Sequence, residues 1–352
     1  FRAALRTDSQ NLMEAIRVHP CSSASQFQAT AEAGANIALT KYWGNADPDL
    51  RIPANDSVSI TLDRVRTVTT VAFRADLPED EVTVDGRPLV GPARERASRH
   101  LDLLRGLAGI SWRARVVSEN NFPAGAGIAA SASGFAALTL ASAAALGLDL
   151  SPRDLSRLAR RGSGSAARSV FGGFVLLHTG ARDEDAFAEP LYGPDWWDIR
   201  DLIVIVSRAE KAVPSSEGHH LAPTSALHRA RVARVAELNR QLLDALARRD
   251  FAALGQAAEE DALLMHAVMM TSRPSLIYWL PETLAVMHWV QARRQVGIPA
   301  YFTIDAGPNV HVLTLPPYSE SLQADLLALP GVQDVIPCRP GPGARIIPNP
   351  RE

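Results

Sequence analysis

Residues 118–134 read SENNFPAGAGIAASASG, and the rest of the sequence can be placed around this glycine- and serine-rich stretch. Residues 112–117 before it alternate in the manner of a β-strand, and residues 135–146 after it have a composition that favours a helix. A strand, a glycine-containing loop and a helix commonly bind an anion, because glycines let the backbone approach a phosphate and the first helical N–H groups point at it. The stretch therefore predicts a phosphate site, with a small-residue helix packed in a core as the alternative.

Two common nucleotide-binding motifs do not fit this stretch. No Gly-Lys-Ser or Gly-Lys-Thr occurs anywhere in the chain, which excludes a P-loop. The glycine spacing is wrong for a dinucleotide fingerprint, and no acidic residue ends a strand at the expected distance. The serine hydroxyls of the stretch can instead bind phosphate oxygens or a hydrated Mg²⁺ ion.

The composition describes a globular chain without a strong charge. It has 352 residues, 47% of them hydrophobic, and its 36 Lys and Arg against 38 Asp and Glu leave a net charge of −2. This balance gives no argument for nucleic acid or an anionic membrane as a partner. No apolar run approaches the ~20 residues of a membrane span and we find no convincing signal peptide, so we expect a cytoplasmic protein.

Two residue types are informative because they are scarce. Lysine occurs only at positions 41 and 211, all the other Lys or Arg positions being Arg, and this directs attention to Lys41. Cysteine occurs only as Cys21 and Cys338, which gives neither a disulfide framework nor a Cys-rich metal site. The adjacent histidines at 219–220 would face opposite sides of a strand, so we do not expect them to bind one metal ion.

The secondary-structure pattern changes along the chain near residues 195–200. Strands and hairpins dominate before this point, and long helices follow it. A chain of this length exceeds one comfortable core, so two domains are expected. We predict an α+β fold with an N-terminal extension over residues 1–25, a first domain over residues 26–198 and a second over residues 199–352.

Individual elements follow from periodicity and from turn residues. Asp85 and Gly86 are expected to join two short strands, since Asp-Gly favours a type I′ hairpin turn. Ser151 is expected to cap a helix that begins at Pro152. Further strands are predicted over residues 57–62, 67–73, 174–178, 202–207, 301–305, 310–314 and 331–336, and further helices over residues 92–107, 225–248, 251–270, 281–296 and 318–328.

Four short motifs occur in the order NIALTKYWG at 36–44, the glycine-rich stretch at 121–134, RGSGSAARS at 161–169 and DAGPN at 305–309. Together they resemble the mevalonate diphosphate decarboxylase family of the GHMP kinase superfamily. The resemblance implies a two-domain GHMP-kinase-like fold with ATP, Mg²⁺ and a phosphorylated mevalonate meeting in the cleft between the domains, the N-terminal domain binding ATP. It also implies a reaction in which the γ-phosphate of ATP goes to a tertiary 3-hydroxyl, after which phosphate and CO₂ leave. A homodimer is common among such relatives.

The resemblance also assigns the catalytic roles. Asp305 matches the family's catalytic carboxylate, which orients or deprotonates the 3-hydroxyl, and the alternative is an ordinary turn residue. Lys41 matches the family lysine near that carboxylate and the transferred phosphate. Arg168 matches the arginine that binds the substrate carboxylate, for which a planar guanidinium is suited.

Further residues match the family's binding positions. Substrate-binding residues are expected at Tyr42, Asn45, Ser163 and Ser165, in addition to Arg168. ATP is expected to contact Asn121, Pro123, Gly125, Gly127, Ser131 and Ser133, with Ser131 also binding Mg²⁺.

Three positions depart from the family pattern. Asn45 stands where the family commonly has Lys, Ala130 replaces a serine, and Asp56 stands where a serine is usual. Each change removes a positive charge or a phosphate donor, or adds negative charge, which suits a diphosphate less than a monophosphate. We therefore expect mevalonate 5-phosphate as the substrate and isopentenyl phosphate as the product.

Three alternatives stay open at this point. The first is a decarboxylase of the 5-diphosphate that gives isopentenyl diphosphate. The second is a 3-kinase that stops before decarboxylation, against which the retained Lys41 and Asp305 argue. The third is a catalytically silent homologue with a binding role, against which the intact Ser131, Arg168 and Asp305 argue.

Overall fold

The computed structural model of the protein describes residues 27–122, 130–209 and 211–349. Within these ranges no helix is long and apolar enough to cross a membrane. The strands are β1 (Gln28–Ala38), β2 (Asn45–Asp47), β3 (Ile52–Pro53), β4 (Ser57–Arg74), β5 (Glu81–Val84), β6 (Arg87–Pro88), β7 (Arg113–Asn120), β8 (Phe174–Leu177), β9 (Ala188–Tyr192), β10 (Arg200–Ile205), β11 (Ala300–Thr303), β12 (Val310–Thr314), β13 (Asp334–Cys338) and β14 (Arg345–Ile347). The α-helices are α1 (Gly91–Ala108), α2 (Ala130–Ala145), α3 (Pro152–Gly162), α4 (Ala166–Ser169), α5 (Ser215–Leu221), α6 (His228–Arg248), α7 (Phe251–Thr271), α8 (Pro281–Gln295) and α9 (Pro316–Leu327).

An eight-stranded sheet forms the first half of the molecule, in the order β14-β1-β4-β7-β5-β6 with β8 and β9 attached to β4. β4 is one strand of 18 residues, whereas the sequence predicted two strands over residues 57–62 and 67–73. The charged residues between these two predicted strands fit within β4 because the in-and-out alternation of a strand continues through them. Arg64 and Arg66 are exposed, and Val65 between them is buried. At this point β4 changes its partner from β8 to β7.

The local turn and cap signals of the sequence are confirmed. Asp85 and Gly86 have φ angles of 49° and 75°, as a type I′ turn requires. Ser151 accepts a hydrogen bond from the main-chain N of Asp154 at 3.1 Å and so caps α3. The helix α1 ends at Gly109 in the left-handed conformation that terminates many helices.

The helix that follows the glycine-rich stretch, α2, packs on β1 and β4. Its side chains at Ala132, Ala136 and Ala137 are fully buried, and their small size lets the helix lie close to the sheet. Packing of a small-residue helix in the core is therefore confirmed. The phosphate site predicted for the preceding loop falls on residues 123–129, which lie outside the described residues.

A four-stranded antiparallel sheet, in the order β11-β12-β10-β13, forms the second half. One face packs on α8 and α9 through residues such as Val286 and Leu322. The other face packs on α6 and α7 through residues such as Leu242 and Leu254, and this cluster continues to Ile37 in β1. The two sheets thus share a core, which fixes the end of β1 relative to the turn between β11 and β12.

The strand β14 returns to the first sheet and pairs antiparallel with β1, with Thr30 opposite Ile347. The sequence did not predict this strand, which lies in the range assigned to the second domain. The long helices expected after the switch near residue 200 are present as α6, α7 and α8. The domain limits themselves stay predictions.

Candidate active site

A cavity of about 370 Å³ opens where ends of elements from both halves meet. Its walls come from the segment after β1, the start of α2, the α3–α4 turn, α5 and the β11–β12 turn. All four sequence motifs, which begin at residue 36 and end at residue 309, therefore contribute side chains to one space.

Lys41 and Asp305 form an ion pair on the cavity wall. Nζ of Lys41 lies 2.8 Å from Oδ1 of Asp305, and Nζ also donates to the main-chain carbonyl of Ala38 at 2.6 Å. Both residues line the cavity, and the carboxylate is the more accessible of the two, since the Lys41 side chain is 1% exposed and that of Asp305 is 25% exposed. His266 donates from Nε2 to the main-chain carbonyl of Asp305 at 2.8 Å and so holds the turn in place.

Burial and mutual attraction act on this pair in opposite directions. Burial lowers the pKa of Lys41 below its ordinary 10.5, against the charges of Asp305 and Asp261, which raise it. Burial tends to raise the pKa of Asp305, but the charge and hydrogen bond of Lys41 outweigh it and hold this pKa below its ordinary 3.8. Asp305 is therefore ionised at neutral pH and can accept a hydrogen bond from a hydroxyl group.

Arg168 lies on the short helix α4, and its buried guanidinium faces the cavity. Nη1 donates to Oγ of Ser57 at 2.7 Å, and Nε and Nη2 donate to Oδ1 of Asn36 at 3.3 Å and 3.1 Å. Burial lowers the pKa of Arg168 to about 10, so the group keeps its charge at neutral pH. A buried cation whose hydrogen-bond partners are neutral is suited to bind an anion from the cavity.

Three serine hydroxyls line the cavity next to one another. Oγ of Ser131 lies 3.2 Å from Oγ of Ser163, which lies 3.4 Å from Oγ of Ser165. Between the last two stands Gly164, where a Cβ atom would lie 2.2 Å from the ring of Tyr42. Only glycine at this position leaves room for the tyrosine ring, and the ring then forms part of the wall.

Tyr42 itself is a neutral hydroxyl group in the cavity. Burial raises its pKa to about 12, and its hydroxyl donates to Oδ1 of Asn45. Asn45 is not among the residues that line the cavity. The position where the family commonly has Lys is therefore occupied by an amide that is bound to Tyr42.

Two further guanidinium groups, those of Arg51 and Arg96, line the cavity near Tyr42. Arg96 donates from Nε and Nη2 to the main-chain carbonyl of Gly162 at 3.0 Å and 2.8 Å. Burial lowers the pKa of Arg96 to about 10 and also lowers the pKa of Arg51. Both groups remain cations at neutral pH.

His219 is held in one orientation beside these arginines. The main-chain N of Gly44 donates to Nδ1 of His219 at 3.1 Å, and the ring packs against Tyr42 and Trp43 with centroid distances of 4.4 Å and 4.5 Å. Burial, together with the charge of Arg51, lowers the pKa of His219 to about 3. The ring is therefore neutral, with Nδ1 as acceptor and the proton on Nε2.

Comparisons with known proteins agree with this arrangement. Two protein-family models match: the diphosphomevalonate decarboxylase-like N-terminal domain over residues 33–188 and the mevalonate 5-diphosphate decarboxylase C-terminal domain over residues 201–336. The phosphomevalonate decarboxylase of Haloferax volcanii is 38% identical over 290 residues, covering 82% of this chain and 88% of the relative. The chain belongs to the mevalonate diphosphate decarboxylase family. The diphosphomevalonate decarboxylase of Aspergillus fumigatus is 37% identical over 328 residues, covering 87% of this chain and 81% of the relative.

Solved structures of this decarboxylase family have the same fold. The mevalonate diphosphate decarboxylase from Staphylococcus aureus superposes with a TM-score of 0.87 at 37% identity, over 96% of this chain and 100% of that chain. MDDEF in complex with MVAPP, AMPPCP and magnesium gives a TM-score of 0.87 at 39% identity, over 92% of this chain and 99% of that chain. The predicted two-domain GHMP-kinase-like α+β fold is confirmed.

Most of the site residues predicted from the family motifs come together in the cavity. Those that line it are Lys41, Tyr42, Ser131, Ser163, Ser165, Arg168 and Asp305. Pro123, Gly125 and Gly127 lie outside the described residues. The binding and catalytic roles stay predictions.

Three residues predicted to bind substrate or ATP do not line the cavity: Asn45, Asn121 and Ser133. Asp56, one of the departures from the family pattern, does not line it either. Asn121 donates to the main-chain carbonyl of Arg64 at 2.7 Å and accepts from the main-chain N of Arg66 at 2.8 Å, so it ties the end of β7 to β4. Ser133 is fully buried, with Oγ 2.7 Å from Oγ1 of Thr67.

The carboxylate of Asp56 accepts a hydrogen bond from the main-chain N of Thr179 at 2.6 Å. Because this carboxylate holds a loop and does not line the cavity, it gives no support to the expected repulsion of a diphosphate. Of the three departures from the family pattern, Ala130 lines the cavity.

Lys211 is a cavity residue that the sequence analysis did not assign. Burial lowers its pKa, against the charge of Asp305, which raises it. The sequence did carry a signal, since the chain has lysine only at 41 and 211, and both line this cavity. Arg51 and Arg96 were also missed, because they stand outside the four motifs among many other arginines.

The adjacent histidines lie on the helix α5, not on a strand. His219 lines the cavity and His220 is exposed. Across the described part of the chain, no group of three or more His, Cys, Asp or Glu side chains is arranged to hold a metal ion.

Proposed function

We propose that this decarboxylase acts on mevalonate 5-phosphate with ATP and Mg²⁺, giving isopentenyl phosphate, CO₂, ADP and phosphate. The observation that carries the proposal is the division of charge in the cavity. The first group is Asp305 with its charged neighbours Lys41, Lys211 and Arg168, and the second is Arg51 and Arg96, which are charged neighbours of the neutral Tyr42 and His219. A substrate with a carboxylate and a hydroxyl at one end and a phosphate at the other matches this division.

The first group of residues suits the reacting end of the substrate. The ionised carboxylate of Asp305 accepts the hydrogen bond of the 3-hydroxyl and orients its oxygen toward the γ-phosphate of ATP. The ammonium of Lys41, 2.8 Å from that carboxylate, stabilises the negative charge that accumulates on the transferred phosphoryl group. Arg168 binds the substrate carboxylate, which later leaves as CO₂.

Phosphorylation makes the second half of the reaction feasible. A tertiary hydroxyl is a poor leaving group, whereas a phosphate ester leaves readily. When the phosphate departs, the bond between the carboxylate and its neighbouring carbon breaks, and that electron pair forms the terminal alkene.

The nucleotide phosphates and Mg²⁺ fit at the start of α2. Ser131 offers a hydroxyl there, next to that of Ser163 at 3.2 Å, and Mg²⁺ in such sites takes few protein ligands because phosphate oxygens and water complete its shell. When bound, Mg²⁺ neutralises charge on the phosphates. A relative, MDDEF, has been solved with AMPPCP and magnesium, which supports ATP and Mg²⁺ as the cofactors of this chain.

The second group of residues favours a monophosphate through its charge. A phosphate monoester carries about −1.5 to −2 at neutral pH, which Arg51 and Arg96 together balance. His219 and Tyr42 add neutral donors only, since the pKa of His219 is about 3 and that of Tyr42 is about 12. A diphosphate would bring an additional negative charge without an additional cation from Asn45.

The 5-diphosphate is the second candidate substrate. The relative in Aspergillus fumigatus is a diphosphomevalonate decarboxylase at 37% identity, and the two arginines at this end of the cavity would also bind a diphosphate. The phosphomevalonate decarboxylase of Haloferax volcanii, at 38% identity, supports the first candidate to a similar degree.

The test is one set of incubations with ATP and Mg²⁺. Mevalonate 5-phosphate, mevalonate 5-diphosphate and mevalonate are supplied separately, and ADP and CO₂ are both measured to obtain kcat/KM. We expect equal amounts of ADP and CO₂, with the monophosphate preferred. A tenfold preference for the diphosphate would replace the proposed substrate, ADP without CO₂ would indicate a 3-kinase, and neither product would indicate a silent homologue.

A further inference from the structure

A second buried ion pair lies behind Lys41, on the side away from the cavity. Arg231 on α6 and Asp261 on α7 are 1% and 0% exposed, and Nη2 of Arg231 lies 3.0 Å from both carboxylate oxygens of Asp261. Neither residue is among those that line the cavity. The pair therefore does not contact a bound substrate directly.

This ion pair holds the peptide groups of Lys41 on both sides. The main-chain N of Lys41 donates to Oδ2 of Asp261 at 2.5 Å, and Nη2 of Arg231 donates to the main-chain carbonyl of Lys41 at 2.8 Å. Asn55 donates to the same carbonyl from Nδ2 at 3.0 Å. The main chain of Lys41, in the segment after β1, is thus fixed by side chains of α6 and α7 and by Asn55.

A buried ion pair is a poor way to gain stability, because removing two charges from water costs much of what their attraction returns. Neutral polar side chains could bond the same main-chain groups without burying two charges. The pair is hydrogen-bonded to the main chain of Lys41, the lysine that forms the ion pair with Asp305. We therefore look for a role of the pair other than stability.

We propose that Asp261 and Arg231 are positioning residues for Lys41, which fix its main chain and keep its ammonium group in place against Asp305. The inference rests on the proposed role of Lys41 in phosphoryl transfer. Phosphoryl transfer depends on the position of fixed charges, and a displacement of about 1 Å can cost about a hundredfold in rate.

The charges around Lys41 make the proposal measurable. Two carboxylates lie near Lys41: Asp305 in the β11–β12 turn and Asp261 on α7. Two cations also lie near it, Arg168 on α4 and Arg231 on α6. A further titratable neighbour is His266 on α7, which is neutral. The carboxylate of Asp261 raises the pKa of Lys41 against the effect of burial. Loss of that negative charge must therefore lower the pKa of Lys41.

The principal variant is Asp261→Asn, which keeps the shape and an acceptor oxygen but removes the charge. We expect kcat/KM at neutral pH to fall about 10- to 100-fold. The alkaline limb of the pH profile should move to lower pH, because activity is lost as pH rises through the pKa of Lys41. Lys211 has Asp305 but not Asp261 as a charged neighbour, so it does not produce this shift.

The matched control is Asp80→Asn, at the residue just before β5 of the first sheet. Asp80 pairs with Arg105, the two side chains being 1% and 3% exposed, and it also accepts from a main-chain N, that of Ala114, at 2.8 Å. This variant should lower the melting temperature and leave the alkaline limb in place. If Asp261→Asn behaves in the same way, the pair is only structural and the proposal is wrong.

A second measurement reads Lys41 without any enzyme assay. Because the chain contains only two lysines, a sample labelled at the lysine side chain gives two NMR signals, and Lys211→Arg identifies the remaining one as Lys41. We expect the Lys41 signal to titrate at lower pH in Asp261→Asn than in the parent. An unchanged titration overturns the proposal.

If Asp261→Asn does not fold, Asp261→Glu separates position from charge. It keeps the charge but shifts the carboxylate by one methylene, so we expect kcat to fall while the alkaline limb stays in place, and an unchanged kcat would contradict the proposal. If the wild-type protein releases neither ADP nor CO₂, the proposed function fails, whereas the NMR titration still decides whether Asp261 acts on Lys41.

Discussion

Nζ of Lys41 lies 2.8 Å from Oδ1 of Asp305, although 264 positions separate the two residues in the sequence. The pair joins the end of β1 in the first sheet to the β11–β12 turn in the second. Its consequence is an ionised, partly accessible carboxylate next to a buried cation. A hydroxyl placed on that carboxylate would have a positive charge beside it at the moment when a phosphoryl group arrives.

Asp305→Asn should lower kcat about 10²- to 10⁴-fold with little change in substrate KM. The amide keeps the shape of the side chain but removes the charge that orients or deprotonates the 3-hydroxyl. The measurement is steady-state kinetics with CO₂ release, with Asp325→Asn on the exposed side of α9 as the control. A kcat like that of the parent would remove Asp305 from the mechanism.

Arg168→Lys should raise KM for the acid substrate and also slow decarboxylation. Lysine keeps the charge but cannot donate at once to Ser57, to Asn36 and to a substrate carboxylate, as the guanidinium can. The KM values for substrate and ATP should be measured separately. A change confined to ATP would show that Arg168 does not bind the substrate carboxylate.

The sequence motifs predicted Lys41, Arg168 and Asp305 as site residues, and all three line one cavity, while their roles stay predictions. Each of the three stands in a short motif whose local backbone conformation places its side chain. The motif therefore predicts that the side chain lies at the site. Ser131 and Ser133 illustrate the limit: they share one motif, yet the rotation of α2 directs the first into the cavity and the second onto Thr67. Such a rotation depends on tertiary packing.

The sequence did not predict the residues that reach the cavity from outside any motif. Arg51 and Arg96 resemble the chain's many other arginines until the fold brings them beside Tyr42. The same applies to β14, whose three residues become a strand only through pairing with β1. Contacts of this kind, made between segments far apart in the chain, have no local signal.

Ser131→Ala should weaken ATP binding about 10- to 100-fold, corresponding to about 1.5–3 kcal/mol for a hydrogen bond to a charged group. Ala130, the preceding residue, has no hydroxyl to replace the lost one, and the hydroxyl that remains nearby is that of Ser163, 3.2 Å from the Ser131 position. The matched control is Ser133→Ala, because Ser133 is fully buried and does not line the cavity. ATP affinity should be measured by calorimetry with Mg²⁺ present, and equal affinities in the two variants would contradict the assignment.

The preference between monophosphate and diphosphate should respond to a charge at position 219. His219 is neutral at all pH values near 7, because burial and Arg51 lower its pKa to about 3. His219→Arg would add a permanent cation beside Arg51 and Arg96. We expect kcat/KM for the 5-diphosphate to rise relative to that for the 5-phosphate, by about tenfold for one added charged hydrogen bond.

His220→Arg is the control, since it makes the same chemical change at an exposed neighbouring position on α5. Long-range attraction between an added arginine and any phosphate would act similarly in both variants and would weaken with salt. A change of preference confined to His219→Arg at 0.15 M salt would instead indicate direct contact in the cavity. If both variants change the preference equally, or neither does, the neutral His219 does not determine the number of phosphates that the site accepts.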